Sequence, residues 1–304
     1  MKQIGSLIKR NIQVYSRDRM NIFSSLFTMI IIVVLMTVFL GDSATSSITS
    51  LLKDVDPMRD AAQDKLNATL YILNWIVAGI LLVNSVTISF AVVGIMIEDK
   101  ENNKLNSMYV APMKRSNFVF AYVLTGFIVT FIMCLLTIAF SEIIIVASGG
   151  AMLSAIQLLK VIGVLAITVF VFSSFSFLCV LAVKSSSSFS HLGGLIGTLV
   201  GFLAAIYIPI GGLPDSVGNV IKYLPTLSGS SLFRELFTKD IGAKLFSGVP
   251  ADVVNEVNKE FGISLYYGNT EASFLLRLLI LMVSGIIFLG IAIAIMKRKH
   301  LADR

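Results

Sequence analysis

Long apolar runs alternate with short polar breaks along this chain. Runs of mostly apolar residues lie at roughly 22–40, 71–97, 117–147, 157–183, 190–210 and 273–296. A helix needs about 20 such residues to cross a hydrocarbon core. The pattern therefore predicts an all-α integral membrane protein with six transmembrane helices. The third run is longer than a bilayer requires, so it tilts, breaks or extends into water. The fifth ends in the stretch Ile208–Pro214, IPIGGLP, where two prolines and two glycines should stop a helix.

Residues 1–21 follow a different pattern. Ile4, Leu7, Ile8, Ile12, Val14 and Tyr15 fall near one helical face, with Lys2, Lys9, Arg10, Arg17 and Arg19 elsewhere. That is the signature of an amphipathic helix lying on the cytoplasmic interface. The rest, 22–304, reads as one six-helix transmembrane domain. Its two larger polar pieces, 41–70 and 213–272, fall on the opposite side from the termini. A sequon at Asn67–Thr69 is a triplet common by chance.

Composition supports this class. The 304 residues are 56% hydrophobic and 14% charged, whereas soluble domains carry about a quarter charged residues. The net charge of +6 is not a nucleic-acid signal, because the basic residues flank apolar runs. The side holding 1–21, 98–116, 184–189 and 297–304 has 14 basic and 5 acidic residues. The remainder is net negative. The positive-inside rule then places both termini, and residues 98–116, in the cytoplasm. A plasma-membrane location follows as an expectation. The first apolar run is long enough to span and lacks a small-residue cleavage site after it, which argues against a cleaved signal peptide.

Enzyme chemistry finds little support. No Gly-Lys dipeptide occurs, so there is no P-loop. His191 and His300 are far apart and no zinc motif accompanies them; no metal site is expected. Cys134 and Cys179 lie at depths differing by roughly 20 Å, too far for a disulfide. Ionisable residues inside spans are Glu142 and Arg277, each near an outer end and able to snorkel to the interface. Among neutral polar residues, Asn74, Asn84, Ser85 and Thr87 on the second run either line a cavity, as a substrate pathway, or join helices by hydrogen bonds. Gly193, Gly197 and Gly201 form two successive GxxxG units on the fifth run, a helix-packing signal within or between subunits.

The most informative segment is 98–117, EDKENNKLNSMYVAPMKRSN. A charge at the bilayer centre costs several kcal/mol, so this island stays in water, where it can meet a soluble partner. Its text Glu98-Asp-Lys100-Glu101-Asn-Asn103-Lys104-Leu105, followed by Met108, Ala111-Pro112 and Lys114-Arg115, resembles the charged cluster after the second span of ABC-2 type ABC transporter permeases. Asn103 stands where that family usually has glycine, and asparagine tolerates a left-handed turn. Gly211-Gly-Leu213-Pro214, Ile221–Pro225 and Leu232–Phe237 are similar to the family's external re-entrant hairpin between helices 5 and 6.

The resemblance implies a permease subunit of an ATP-driven exporter, acting with a second permease copy as a homodimer and with two copies of a separate ATPase. ATP and magnesium would bind on that partner; no cofactor is expected in this chain and no intrinsic catalysis. Residues 98–116 would be the coupling helix region, with Glu98, Lys100, Glu101, Lys104, Leu105, Met108, Tyr109, Pro112 and Arg115 meeting the ATPase. Pro214 and Pro225 would belong to an external gate. A mostly apolar lining suits an amphipathic or hydrophobic cargo: a drug, a peptide toxin, a lipid or a pigment. The alternatives are an ion-gradient-driven secondary transporter, which calls for midplane acids and an internal repeat, and a non-transporting sensor or assembly factor.

Overall fold

The computed structural model describes residues 2–104, 115–268 and 270–302. Twelve helices and one small hairpin occur among them. They are α1 (Lys2–Arg17), α2 (Arg19–Met36), α3 (Asp42–Val55), α4 (Ala61–Val93), α5 (Ile95–Glu101), α6 (Arg115–Ala147), α7 (Ala155–Ala182), α8 (Ser186–Leu203), α9 (Asp215–Ile221), α10 (Pro225–Leu245), α11 (Ala251–Glu260) and α12 (Phe274–Ala302). The antiparallel pair β1 (Tyr266–Tyr267) and β2 (Thr270–Glu271) precedes α12.

Helix ends follow local chemistry. Asp60 caps α4 by accepting from the backbone N–H groups of Ala62 and Gln63 at 2.9 and 3.2 Å, a contact worth about 1 kcal/mol. Ser154 and Gln157 form a reciprocal capping box at the start of α7. Pro225 sits in the first turn of α10, where its missing N–H costs nothing.

The bundle is built around α4. Nearly every residue from Leu70 to Val93 is buried, so this helix is enclosed on all sides. It packs most extensively against α10, α6 and α7, with α3 beside its N-terminal half. Five helices among the described residues are long and apolar enough to cross a membrane: Ile22–Phe39, Ala61–Glu101, Ser116–Ala147, Ala155–Ala182 and Phe274–Arg298. The protein is thus an all-α, multi-pass membrane protein. The Ile22–Phe39 helix is mostly exposed within this single chain, with Phe23, Val38 and Phe39 prominent on its surface.

The fifth apolar run behaves differently from the sequence pattern. Its helix, α8, spans only Ser186–Leu203, about 27 Å, and starts with serines. It stops before the expected stretch Ile208–Pro214 because Ala205 takes a left-handed backbone, φ +51°, which is unfavourable for a residue with a Cβ. The arginine described below holds that turn. Helix α10 then runs back alongside the bundle. A Cβ on Gly229 would lie 2.6 Å from Leu82 Cδ1, so the glycine lets α10 meet α4 closely.

Candidate functional site

The charged island begins as a continuation of α4. Gly94 separates α4 from α5 because the Phe189 ring needs the space: a Cβ at Gly94 would lie 2.4 Å from Phe189 Cε1. Phe189 also stacks on Phe90, with ring centroids 4.2 Å apart and planes 3° apart. Helix α5 then carries four charges into the turn, and Asn103 closes it with φ +57°. The left-handed conformation that asparagine tolerates is therefore the one adopted.

Three anchors tie this short helix to the bundle. Asp99 is 2% exposed. One oxygen accepts from Arg10 Nη2 at 2.5 Å. The other accepts from Arg10 Nη1 and from the Tyr122 hydroxyl at 2.8 Å. Asp99 thus joins α1 to α6 through a bidentate, charge-assisted pair. The hydrogen bond that Arg10 donates to Asp99 raises the guanidinium pKa above its ordinary value, against the opposing effect of burial. Glu101 supplies the third anchor. Its carboxylate accepts from the Ser186 backbone N–H at 2.6 Å and from the Ser186 hydroxyl at 2.5 Å. A carboxylate there also meets the positive end of the α8 dipole.

Of the expected coupling residues, Glu98, Lys100, Glu101 and Lys104 are exposed. Leu105, Met108, Tyr109 and Pro112 lie outside the described residues, and so does the side chain of Arg115, which opens α6. Asp99, Arg10 and Ser186 were not legible as a set. Asp99 reads as one more charge in the island, and only the fold shows that it points inward.

The expected pathway residues divide by depth. Asn84 Nδ2 donates to Thr137 Oγ1 at 3.1 Å, and Ser85 Oγ donates to the Leu81 carbonyl at 2.8 Å. Both are buried, and Ser89 adds contacts to Thr130 and Ser173 at 3.2 Å. The Asn84 and Ser89 contacts join α4 to α6 and α7, each worth about 0.6 kcal/mol by the standard of membrane helices, whereas the Ser85–Leu81 bond stays within α4. Asn74, also buried, borders a cavity of about 700 Å³ with Leu153, Asp240 and Lys244. Thr87 borders a groove of about 250 Å³ with Phe90, Phe189 and Gly193.

The glycine stripe also divides. A Cβ on Gly193 would meet Phe90 at 3.1 Å and one on Gly201 would collide with Tyr207 at 2.2 Å, whereas one on Gly197 meets nothing within 4 Å. Pro214 precedes α9 and Pro225 opens α10, so both mark bends of the 213–272 segment.

Two buried arginines organise that segment. Arg234 is 0% exposed. Its Nη2 donates to the carbonyls of Ala204 and Ala205 at 3.0 and 2.7 Å, and Nη1 to that of Phe261 at 3.3 Å. Its guanidinium carbon lies 4.3 Å from the Trp75 ring centroid. Arg277, expected as a snorkelling anchor, turns inward instead. It donates to Ser231 Oγ at 2.6 Å and to the Ile263 carbonyl at 2.9 Å, and pairs with Glu235. Glu142 is also buried, accepting from the Leu153 N–H at 3.0 Å. The cue for Arg234 and Glu235 was a charge pair inside the apolar Leu232–Phe237 stretch.

The fold therefore defines a polytopic helical membrane protein whose second spanning helix ends in an anchored, charge-rich turn. The profile of the ABC-2 family transporter proteins matches residues 42–294, and the chain belongs to that family. No curated protein matches it. Family membership makes it a membrane permease subunit of an ABC transporter. Such a subunit does not hydrolyse ATP itself, and the family implies an ATPase partner.

Proposed function

We propose that this chain is the permease of an exporter that moves an amphipathic or hydrophobic cargo across the plasma membrane, with both termini in the cytoplasm. Two copies of a separate ATPase, loaded with ATP and magnesium, dock on residues 98–116. Two permease copies form the pathway along α4 and α8, where Thr87 and Gly193 share a groove. Helices α9 and α10 act as an external re-entrant hairpin and gate, and α8 serves as the fifth of six spans.

One observation carries this reading: the island is anchored to three other helices at once. Asp99 holds α1 and α6, and Glu101 holds the start of α8. A push on the exposed face of α5 would then move these helices together instead of bending a loop. Rigid-body transmission of this kind is how domain closure at one site drives rearrangement at another. Glu98, Lys100 and Lys104 stay exposed to set the register of a soluble partner. An apolar lining with few polar groups fits an amphipathic cargo better than a bare ion.

Co-purification tests the reading. The wild-type chain should elute with a P-loop ATPase encoded nearby, and an E98A/E101A variant should retain less of it and lose transport. Unchanged retention together with unchanged transport in that variant rejects the coupling role.

A further inference from the structure

The outer segment contains a charged cavity that the transport reading does not use. It encloses about 340 Å³ between α9, α11 and β1, within the size range of small-molecule sites. Asp215, Glu256 and Glu260 supply three carboxylates to its wall, and Lys222 and Lys259 two ammonium groups. Among the described residues, none of these five joins an ion pair. Lys222 Nζ reaches only Asn219 Oδ1, at 3.1 Å. Opposite charges thus face one cavity without neutralising each other.

Helix α9 explains where this cavity sits. Asp215, Asn219 and Lys222 fall on one face, at helical spacing, and line it. Val217, Val220 and Tyr223 fall elsewhere on the same stretch and are exposed, Tyr223 at 68%. Apolar side chains next to a tyrosine on a short helix are what a membrane–water boundary selects. Immediately after α9 the lining changes character. Leu224 and Pro225 border a second cavity of about 230 Å³ whose wall is almost wholly apolar, formed with Leu199, Leu203, Phe175 and Phe288. The turn Lys222–Pro225 therefore has a zwitterionic cavity on one side and a hydrocarbon-like groove on the other.

We propose that this pair of cavities binds one aminophospholipid of the outer leaflet. The phosphate meets Lys222 and Lys259 as a charge-assisted contact. The primary ammonium, with three N–H donors, meets Asp215, Glu256 and Glu260. One acyl chain occupies the groove beside Leu199 and Leu203. A choline headgroup lacks the N–H donors, and a glycerol headgroup lacks the cation, so neither satisfies the three carboxylates. The inference rests on the outward placement of 213–272, but it does not depend on ATPase docking or on the cargo.

Native mass spectrometry of the full chain in detergent tests it, with phosphatidylethanolamine, phosphatidylcholine, phosphatidylglycerol and soluble glycerophosphoethanolamine as probes. Phosphatidylethanolamine should be retained best. K222Q and E256Q should each lower its retention about tenfold, the scale of one charge-assisted hydrogen bond. L199W, which fills the groove from an exposed position, should lower it as well. Circular dichroism confirms that each variant is folded, and K259Q replaces K222Q should that one fail. Equal retention of phosphatidylglycerol, or no effect of the lysine and glutamate changes, overturns the proposal. Soluble glycerophosphoethanolamine binding as well as the lipid overturns the acyl-chain role and with it the lipid assignment. ATPase co-purification is a separate readout, so failure of either reading leaves the other standing.

Discussion

Arg10 and Asp99 lie 89 residues apart and share two charge-assisted hydrogen bonds, with the carboxylate buried and the guanidinium about a third exposed. The pair fixes the N-terminal helix to the start of the charged turn. Half-buried Arg10 limits its worth, because water still reaches one partner.

A double-mutant cycle measures that coupling. D99N should lower stability by about 1–3 kcal/mol, since it leaves Arg10 and Tyr122 facing a weaker acceptor. R10M should cost less, and the double variant less than the sum of the two, with a coupling of about 1 kcal/mol. Thermal unfolding in detergent reads the effect as a shift of a few degrees. Strict additivity would show that the contact does not join the two helices.

Arg234 offers a sharper case. R234M would leave the carbonyl of Ala205 without its donor in a buried site, at about 1–3 kcal/mol, while the carbonyl of Ala204 keeps Ser230 Oγ at 3.1 Å. R234K should fail to rescue, because a single ammonium cannot span the three carbonyls that the planar fork reaches. Hydrogen exchange around residues 204–207 should rise selectively in both variants. A global rise without local preference would assign Arg234 a general packing role instead.

The glycines of α8 separate packing within a chain from packing between chains. G201A should destabilise the isolated subunit, since its methyl would enter the Tyr207 ring. G197L should leave subunit stability unchanged, because open space surrounds that position. If two copies meet along α8, G197L should instead lower the dimer fraction in crosslinking. A dimer insensitive to G197L would move the contact to another helix.

Membrane orientation is open to direct labelling. In a background lacking Cys134 and Cys179, K104C should react with a membrane-impermeant maleimide only after the cytoplasmic side is exposed. M58C, at 93% exposure, should react from outside. The reverse pattern would invert the positive-inside assignment and remove the ATPase from 98–116.

Much of the molecule was legible because membrane helices are written in long apolar runs. The runs at 71–97, 117–147, 157–183 and 273–296 needed only length and hydropathy, since every backbone group in lipid must be satisfied within its own helix. The left-handed turn at Asn103 was legible too, because it depends on local sterics. The run at 190–210 misled where it ended. Its expected stop was local, in the stretch Ile208–Pro214, while the real stop at Leu203 depends on Arg234 from a distant helix. Arg277 misled similarly: an arginine near a span end has two ways to satisfy its charge, and sequence does not choose between water and Glu235.

The sequence by itself determined the class of this protein, its apolar helices and the charged turn that follows the second of them, because hydropathy and length act through solvation of each segment alone. The tertiary structure decided which charges turn inward, which glycines touch a neighbour and where α8 stops. The inward charges and the end of α8 depend on side chains far apart in sequence, 30 positions for Arg234 and Ala204 and 89 for Arg10 and Asp99, and a buried polar group takes whichever partner the packing presents.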